Sequence, residues 1–125
     1  MGVTITDRRN LSREEPVWEV ILDQMSWTTT HEEQTESVAI TGIITQIIWT
    51  IGDGGVADPD VVFEIQDASG NVIFTTTEND DQAVIDYAGG DFGYNQLSMR
   101  NFIVSANPDG APTTSLTVDI VIRGI

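Results

Sequence analysis

Residues 116–123 read LTVDIVIR, with Leu116, Val118, Ile120 and Ile122 alternating against Thr117, Asp119, Val121 and Arg123. A period of two places successive side chains on opposite faces of an extended chain, so this segment predicts an amphipathic strand with one face buried. The same rhythm runs through VVFEIQ, 61–66, where Val61, Phe63 and Ile65 share a face. NVIFTTT, 71–77, and NFIVSA, 101–106, are rich in β-branched and aromatic residues and bounded by turn formers, which predicts two further strands. SREEPVWEVILDQM, 12–25, opens with a capping-like Ser12 and Glu15 but runs into Pro16 and Val-Trp-Glu-Val-Ile. We read 17–23 as a strand, with a short helix as the lesser alternative. No stretch of ten or more residues combines helical spacing with caps.

The turns sharpen this reading. DASGN, 67–71, supplies Gly70 for the positive φ that a short bulged hairpin requires, so 61–66 and 71–77 are expected to pair antiparallel. SANPDGAPTT, 105–114, carries Asn107-Pro108-Asp109-Gly110 and Pro112, and is expected to join 101–106 to 116–123 as a second hairpin. Short strands separated by Gly, Pro and Asn predict an all-β, antiparallel β-sandwich or jelly roll. Residues 1–16 are expected to form an extended N-terminal arm, and 17–125 a single β-sandwich domain.

ITGIITQIIWTI, 40–51, is apolar at most positions. Strict alternation would send Ile43, Ile47, Trp49 and Ile51, with Thr45, to the core, and Ile44, Gln46, Ile48 and Thr50 to the other face. Ile44 and Ile48 then need a cover, either the chain's own N-terminus or a neighbouring subunit, since an exposed apolar patch usually marks an interface.

Charge limits the partners. Twenty acids stand against five Arg and no Lys, for a net charge of −15, and such a body repels phosphate backbones, so nucleic acid is not an expected partner. Residues 1–13 carry +2, with Arg8, Arg9 and Arg13 against Asp7, while the remainder carries −17. No apolar run approaches the roughly 20 residues that span a bilayer, so no membrane partner is expected. The lack of Cys removes disulfides and thiolate chemistry and fits synthesis in a reducing cytoplasm.

Catalytic signatures are missing. His31 is the single His, in the polar stretch TTTHEEQTES, 28–37, with Ser26 and Ser37 near in sequence but no G-x-S-x-G elbow. The absence of Lys excludes Schiff-base and P-loop chemistry. Carboxylates such as Glu64 and Asp119 fall on the wet faces of strands, where they are ordinarily just solvated. DGGVADPD, 53–60, and ENDDQAVIDYAGGD, 78–91, offer oxygen ligands for a hard cation, yet neither has EF-hand spacing. We expect no enzyme activity, no metal and no cofactor. Trp18, Trp27, Tyr87, Phe92 and Tyr94 are candidates for a sugar-stacking platform, with Tyr87, Phe92 and Tyr94 in DYAGGDFGYN the most suggestive.

The C-terminal third, NQLSMRNFIVSANPDGAPTTSLTVDIVIRGI, resembles a pattern common in small structural proteins of tailed bacteriophages: a strand ending in Val-Ser-Ala, a Pro/Gly/Thr-rich turn, and a Thr-Val-rich strand closing near an Arg. SVAITGIITQIIWTI and VVFEIQDASGNVIFTTT are similar to the Gly-Ile strand and strand-turn-strand unit of the same proteins. Within that group the chain looks like the capsid decoration, or cement, class. The resemblance implies a non-enzymatic virion structural protein on the capsid exterior, made in the host cytoplasm. It also implies a homo-oligomer, with a trimer favoured, bound to the major capsid protein or neighbouring virion subunits. Arg8, Arg9 and Arg13 of the arm, with Ile44 and Ile48, are then the expected partner contacts. The alternatives are a neck or tail accessory protein and a carbohydrate-binding β-sandwich module using Tyr87, Phe92 and Tyr94.

Overall fold

A computed structural model describes residues 2–7, 18–52, 55–57, 59–79, 85–88 and 97–125. They form an all-β, antiparallel arrangement: β1 (Gly2–Asp7), β2 (Trp18–Trp27), β3 (Gln34–Ile51), β4 (Asp60–Gln66), β5 (Val72–Asn79), β6 (Ile85–Ala88), β7 (Leu97–Pro108) and β8 (Leu116–Gly124). The strands join one eight-stranded sheet in the order β1-β2-β8-β3-β7-β4-β5, with β6 pairing to β3 off this path.

The strands predicted by alternation are present. In β8, Leu116, Val118, Ile120 and Ile122 are buried while the residues between them are half-buried. In β4, Val61, Phe63 and Ile65 are buried in the same way. β4 and β5 pair antiparallel through the Asp67–Asn71 turn, where Gly70 has φ of 89°. The Asp67 carboxylate builds that turn. Its Oδ1 accepts from the backbone N–H groups of Ser69 and Asn71, and its Oδ2 from the Asn71 amide, all at 2.9 Å.

Two expectations are not met here. β7 and β8 do not form a hairpin, because β3 is inserted between them. The link between β7 and β8 is tied instead to the β3–β4 loop and the first residue of β4: Asp109 N–H donates to the Asp60 carbonyl at 2.8 Å, Asp60 N–H to Asp109 Oδ1 at 3.1 Å, and Ala57 N–H to Thr113 Oγ1 at 3.2 Å. Pro and Gly correctly marked the turn, but a turn signal does not say which strand the chain meets next. The second concerns the N-terminal arm expected over 1–16, which is not confirmed, residues 8–16 lying outside the described residues. Residues 2–7 are not a free arm but an edge strand in continuous register with β2, from Gly2 opposite Asp23 to Asp7 opposite Trp18.

β3 organises the sheet. Its first part pairs with β7, from Gln34 to Ile44, and its last part with β8, from Ile44 to Ile51, with β6 along residues 46–49. Two irregularities break its register, one between Val38 and Thr41 against β7 and one between Ile44 and Gln46 against β8. The second makes Thr45 an extra residue, and its hydroxyl donates to the Arg123 carbonyl at 3.3 Å. An inserted residue reverses which side chains face the core. Val38, Ile40 and Ile44 are therefore buried before the bulge, and Ile47, Trp49 and Ile51 after it. On β7, Asn101 adopts φ of 45° at the level of the first irregularity, a left-handed conformation that Asn tolerates better than most side chains.

These bends add to the curvature of the sheet. Phe63 is level with Ala106 on β7, which is level with Gln34 on β3, so Trp49 lies fifteen residues further along that strand. In a straight strand this is about 50 Å. Yet the rings of Trp49 and Phe63 have centroids 3.8 Å apart. The buried core also includes Trp18, Leu22, Met25, Trp27, Phe102 and Val104.

Trp18 locks the chain's C-terminal end. Its indole N–H donates to the Ile125 carbonyl at 3.1 Å, and Ile43 and Ile125 exchange backbone hydrogen bonds at 3.1 and 3.0 Å. The ring lies over Gly42 and Gly124. A Cβ on Gly42 would meet the indole nitrogen at 2.5 Å, and one on Gly124 would collide with the Ile43 carbonyl and the ring itself. Because backbone cannot yield cheaply, Gly124→Ala is expected to lower stability by about 2 kcal/mol, in the range of overpacking costs, with the loss read from the midpoint of urea unfolding. The hydrogen bonds from Asn71, Ser69 and Gly70 hold the Asp67 carboxyl below its ordinary value of 3.8. A group with a depressed folded-state pKa contributes stability above its unfolded pKa and loses it as pH falls through the folded value. Carboxyl-detected NMR titration should therefore place the Asp67 midpoint below 3.8, and a midpoint at or above that value would remove the turn from the stability account.

Candidate interaction surface

The outer face of β2, β8 and β3 carries two cross-strand rows. In the first, Ile21, Val121 and Ile48 stand side by side in register. Ile21 is 37% exposed, and Val121 and Ile48 are half-buried. In the second, Glu19, Arg123 and Gln46 are in register. Arg123 Nε donates to Glu19 Oε2 at 2.8 Å, and Nη1 donates to Gln46 Oε1 at 3.1 Å. One guanidinium thus ties three strands together beside the apolar row. An ion pair this open to solvent is worth at most about 1 kcal/mol, so its main effect is to fix the orientation of side chains on that face.

Ile44 does not belong to this surface. It is fully buried, because the bulge at Thr45 turns it inward and leaves its neighbour Ile43 only half-buried. Ile48 does lie on the outer face, next to Val121. Arg8, Arg9 and Arg13 fall outside the described residues, in the connection between β1 and β2. Of the aromatic platform, Trp18 and Trp27 are buried core residues, and their indole N–H groups donate to the Ile125 and Glu32 carbonyls. Tyr87 occupies the β6 position opposite Ile47. Phe92 and Tyr94 lie outside the described residues. His31 is exposed on the loop between β2 and β3. Among the described residues no three His, Asp or Glu side chains gather as a metal site would require.

Reading the sequence missed Ile21, Val3 and Ile5 as exposed apolar residues. Ile21 was legible, since it falls between Val20 and Leu22, which alternation sends inward. Val3 and Ile5 alternate as well, but assigning residues 1–16 to an arm hid their strand.

The rest of the surface is acidic. Among the described residues the Arg side chains are Arg100 and Arg123, against exposed carboxylates that include Asp7, Asp23, Glu32, Glu33 and Asp109.

No family model matches the chain, and no curated protein matches its sequence. Solved structures do resemble it in fold. A chain of the acid-stable capsid of the Helicobacter pylori bacteriophage KHP30 superposes with a TM-score of 0.52 at 10% identity, covering 86% of this chain and 87% of that one. The K3 adhesin domain of Lys-gingipain from Porphyromonas gingivalis gives 0.44 at 13% identity, over 87% of this chain and 75% of that one. The carbohydrate-binding and catalytic modules of Clostridium thermocellum xylanase 10B, complexed with xylohexaose, give 0.43 at 12% identity, over all of this chain and 25% of that one. The chain is thus an all-β domain whose fold resembles that of a chain in a phage capsid structure.

A body of net charge −15 repels itself, and salt screens exposed charges beyond roughly 8–10 Å at physiological ionic strength. The melting temperature should therefore rise when NaCl is increased from low to physiological concentration. A flat or falling profile by differential scanning calorimetry would show that this repulsion does not limit stability.

Proposed function

We propose that the chain is a non-enzymatic structural protein of a phage virion, a capsid decoration protein that binds the outside of the head shell and stabilises it. The observation that carries this reading is the fold likeness to a chain of the KHP30 capsid, which spans nearly the full length of both chains. The curvature that brings the Trp49 and Phe63 rings together supports assigning the domain to the β-sandwich class, with a jelly roll as the finer assignment. A virion protein has to offer a surface rather than a cleft. The row of Ile21, Val121 and Ile48 supplies apolar area on the outer face, and such patches mark protein contacts. Arg8, Arg9 and Arg13 add a cationic segment to an acidic body, suited to an acidic groove on the capsid protein or a neighbouring subunit.

Quantitative mass spectrometry of purified particles tests the assignment. A copy number comparable with that of the major capsid protein is expected, whereas a copy number typical of a tail or neck would move the protein off the shell, and absence would reject the reading. Within particles, Ile48→Asp and the triple replacement of Arg8, Arg9 and Arg13 by Ala should each reduce occupancy while leaving the circular dichroism spectrum of the purified chain unchanged.

A further inference from the structure

β1 ends the sheet, and among the described residues no strand lies on its outer side. Proteins usually protect such an edge with Lys, Pro, a bulge or a cover, because its unpaired peptide groups are a template for another strand. Residues 3–6, VTIT, contain no charge and no Pro, and the register from Gly2 to Asp7 is unbroken. Val3 and Ile5 lie opposite Leu22 and Val20 and so share the core face with them. Leu22 and Val20 are fully buried, but Val3 is 36% and Ile5 40% exposed. The apolar face of the core therefore continues past its own cover at this edge.

We propose that β1 is a self-association edge, at which two copies of the chain pair antiparallel about a two-fold axis passing through Thr4. The sequence of the strand selects both the occupant and the register. Residues opposite each other in a ladder share a face, so shifting the pairing by one residue would turn the second copy's core face outward. Only registers centred on a residue keep both core faces on one side. Centring on Thr4 sets Val3 of each copy against Ile5 of the other, Gly2 against Thr6, and Thr4 against Thr4 on the opposite face. Both apolar pairs then cover each other, and β-branched and Thr–Thr pairs are favourable cross-strand neighbours. Centring on Val3 or Ile5 would lose one or both of these apolar matches.

The size of the contact sets its strength. Two six-residue edges, about 20 Å long and roughly 10 Å deep, bury on the order of 400 Å², well below the ~1,000 Å² of a stable interface. Mutual repulsion between bodies of net charge −15 weakens it further. The pairing is therefore concentration-dependent in free solution and strengthened by salt, and it becomes populated where copies are held close together. It stands on the strand itself and not on the virion reading.

Because the chain has no Cys, a single introduced thiol reports the contact cleanly. Opposed residues in an antiparallel pair have Cα atoms about 4.5–5.5 Å apart, within disulfide reach. T4C should form covalent dimers under mild oxidation, with a rate that rises from micromolar to millimolar protein and with added NaCl. On β5, the other sheet edge, Val72 and Ile73 are also exposed, but the bulge at Ile73 and the carboxylate of Glu78 blunt that edge, so T75C should cross-link several-fold more slowly. Adding V3K and I5K to T4C should bring its rate down to that of T75C, with circular dichroism confirming the fold. If that variant does not fold, the comparison of T4C with T75C decides alone. Equal rates for T4C and T75C, a faster T75C, or a chain that sediments as a monomer at millimolar concentration would overturn the proposal, as would a trimer insensitive to V3K. None of these results would alter the copy number measured in particles, so the two readings fail separately.

Discussion

One strand has to serve two halves of this sheet, and the rest of the fold follows from how it does so. β3 pairs with β7 over its first part and with β8 and β6 over its last. A straight strand of eighteen residues would be about 60 Å long and could not keep both halves around one core. The irregularities at Val38–Thr41 and Ile44–Gln46 bend it, and Gly42 at the bend leaves room for the Trp18 ring. The same ring covers Gly124 and holds the Ile125 carbonyl. Closing the core and anchoring the end of β8 are thus one event, centred on one indole and two residues without a Cβ.

The surface divides by chemistry. Exposed carboxylates among the described residues include Asp7, Asp23, Glu32, Glu33 and Asp109. Among the described residues, exposed apolar side chains include Ile21 on the outer face, Val3 and Ile5 at the β1 edge, Val72 and Ile73 at the β5 edge, and Val56 in the β3–β4 loop.

Much of the fold was legible in the chain. LTVDIVIR and VVFEIQ alternate so regularly that their buried faces are fixed by period alone, and Asp67 with Gly70 specifies the β4–β5 turn through a carboxylate acceptor and a positive φ. These are local signals, each settled within a few residues by side-chain direction and backbone sterics. The surface was less legible. Ile48 falls on the outer face that alternation gave it, whereas Ile44 does not, because one extra residue at Thr45 reverses the phase between them.

What the sequence determined by itself is the β class, most strand positions, the anionic surface and the absence of thiol chemistry, since these depend on composition and on a periodicity of two. What only the tertiary structure decided is partnership between strands: that β3 separates β7 from β8, that residues 2–7 join the sheet edge, and that Ile44 is core. Strand pairing and bulge position depend on contacts between residues far apart in the chain, and no local pattern encodes which distant backbone will supply the hydrogen bonds.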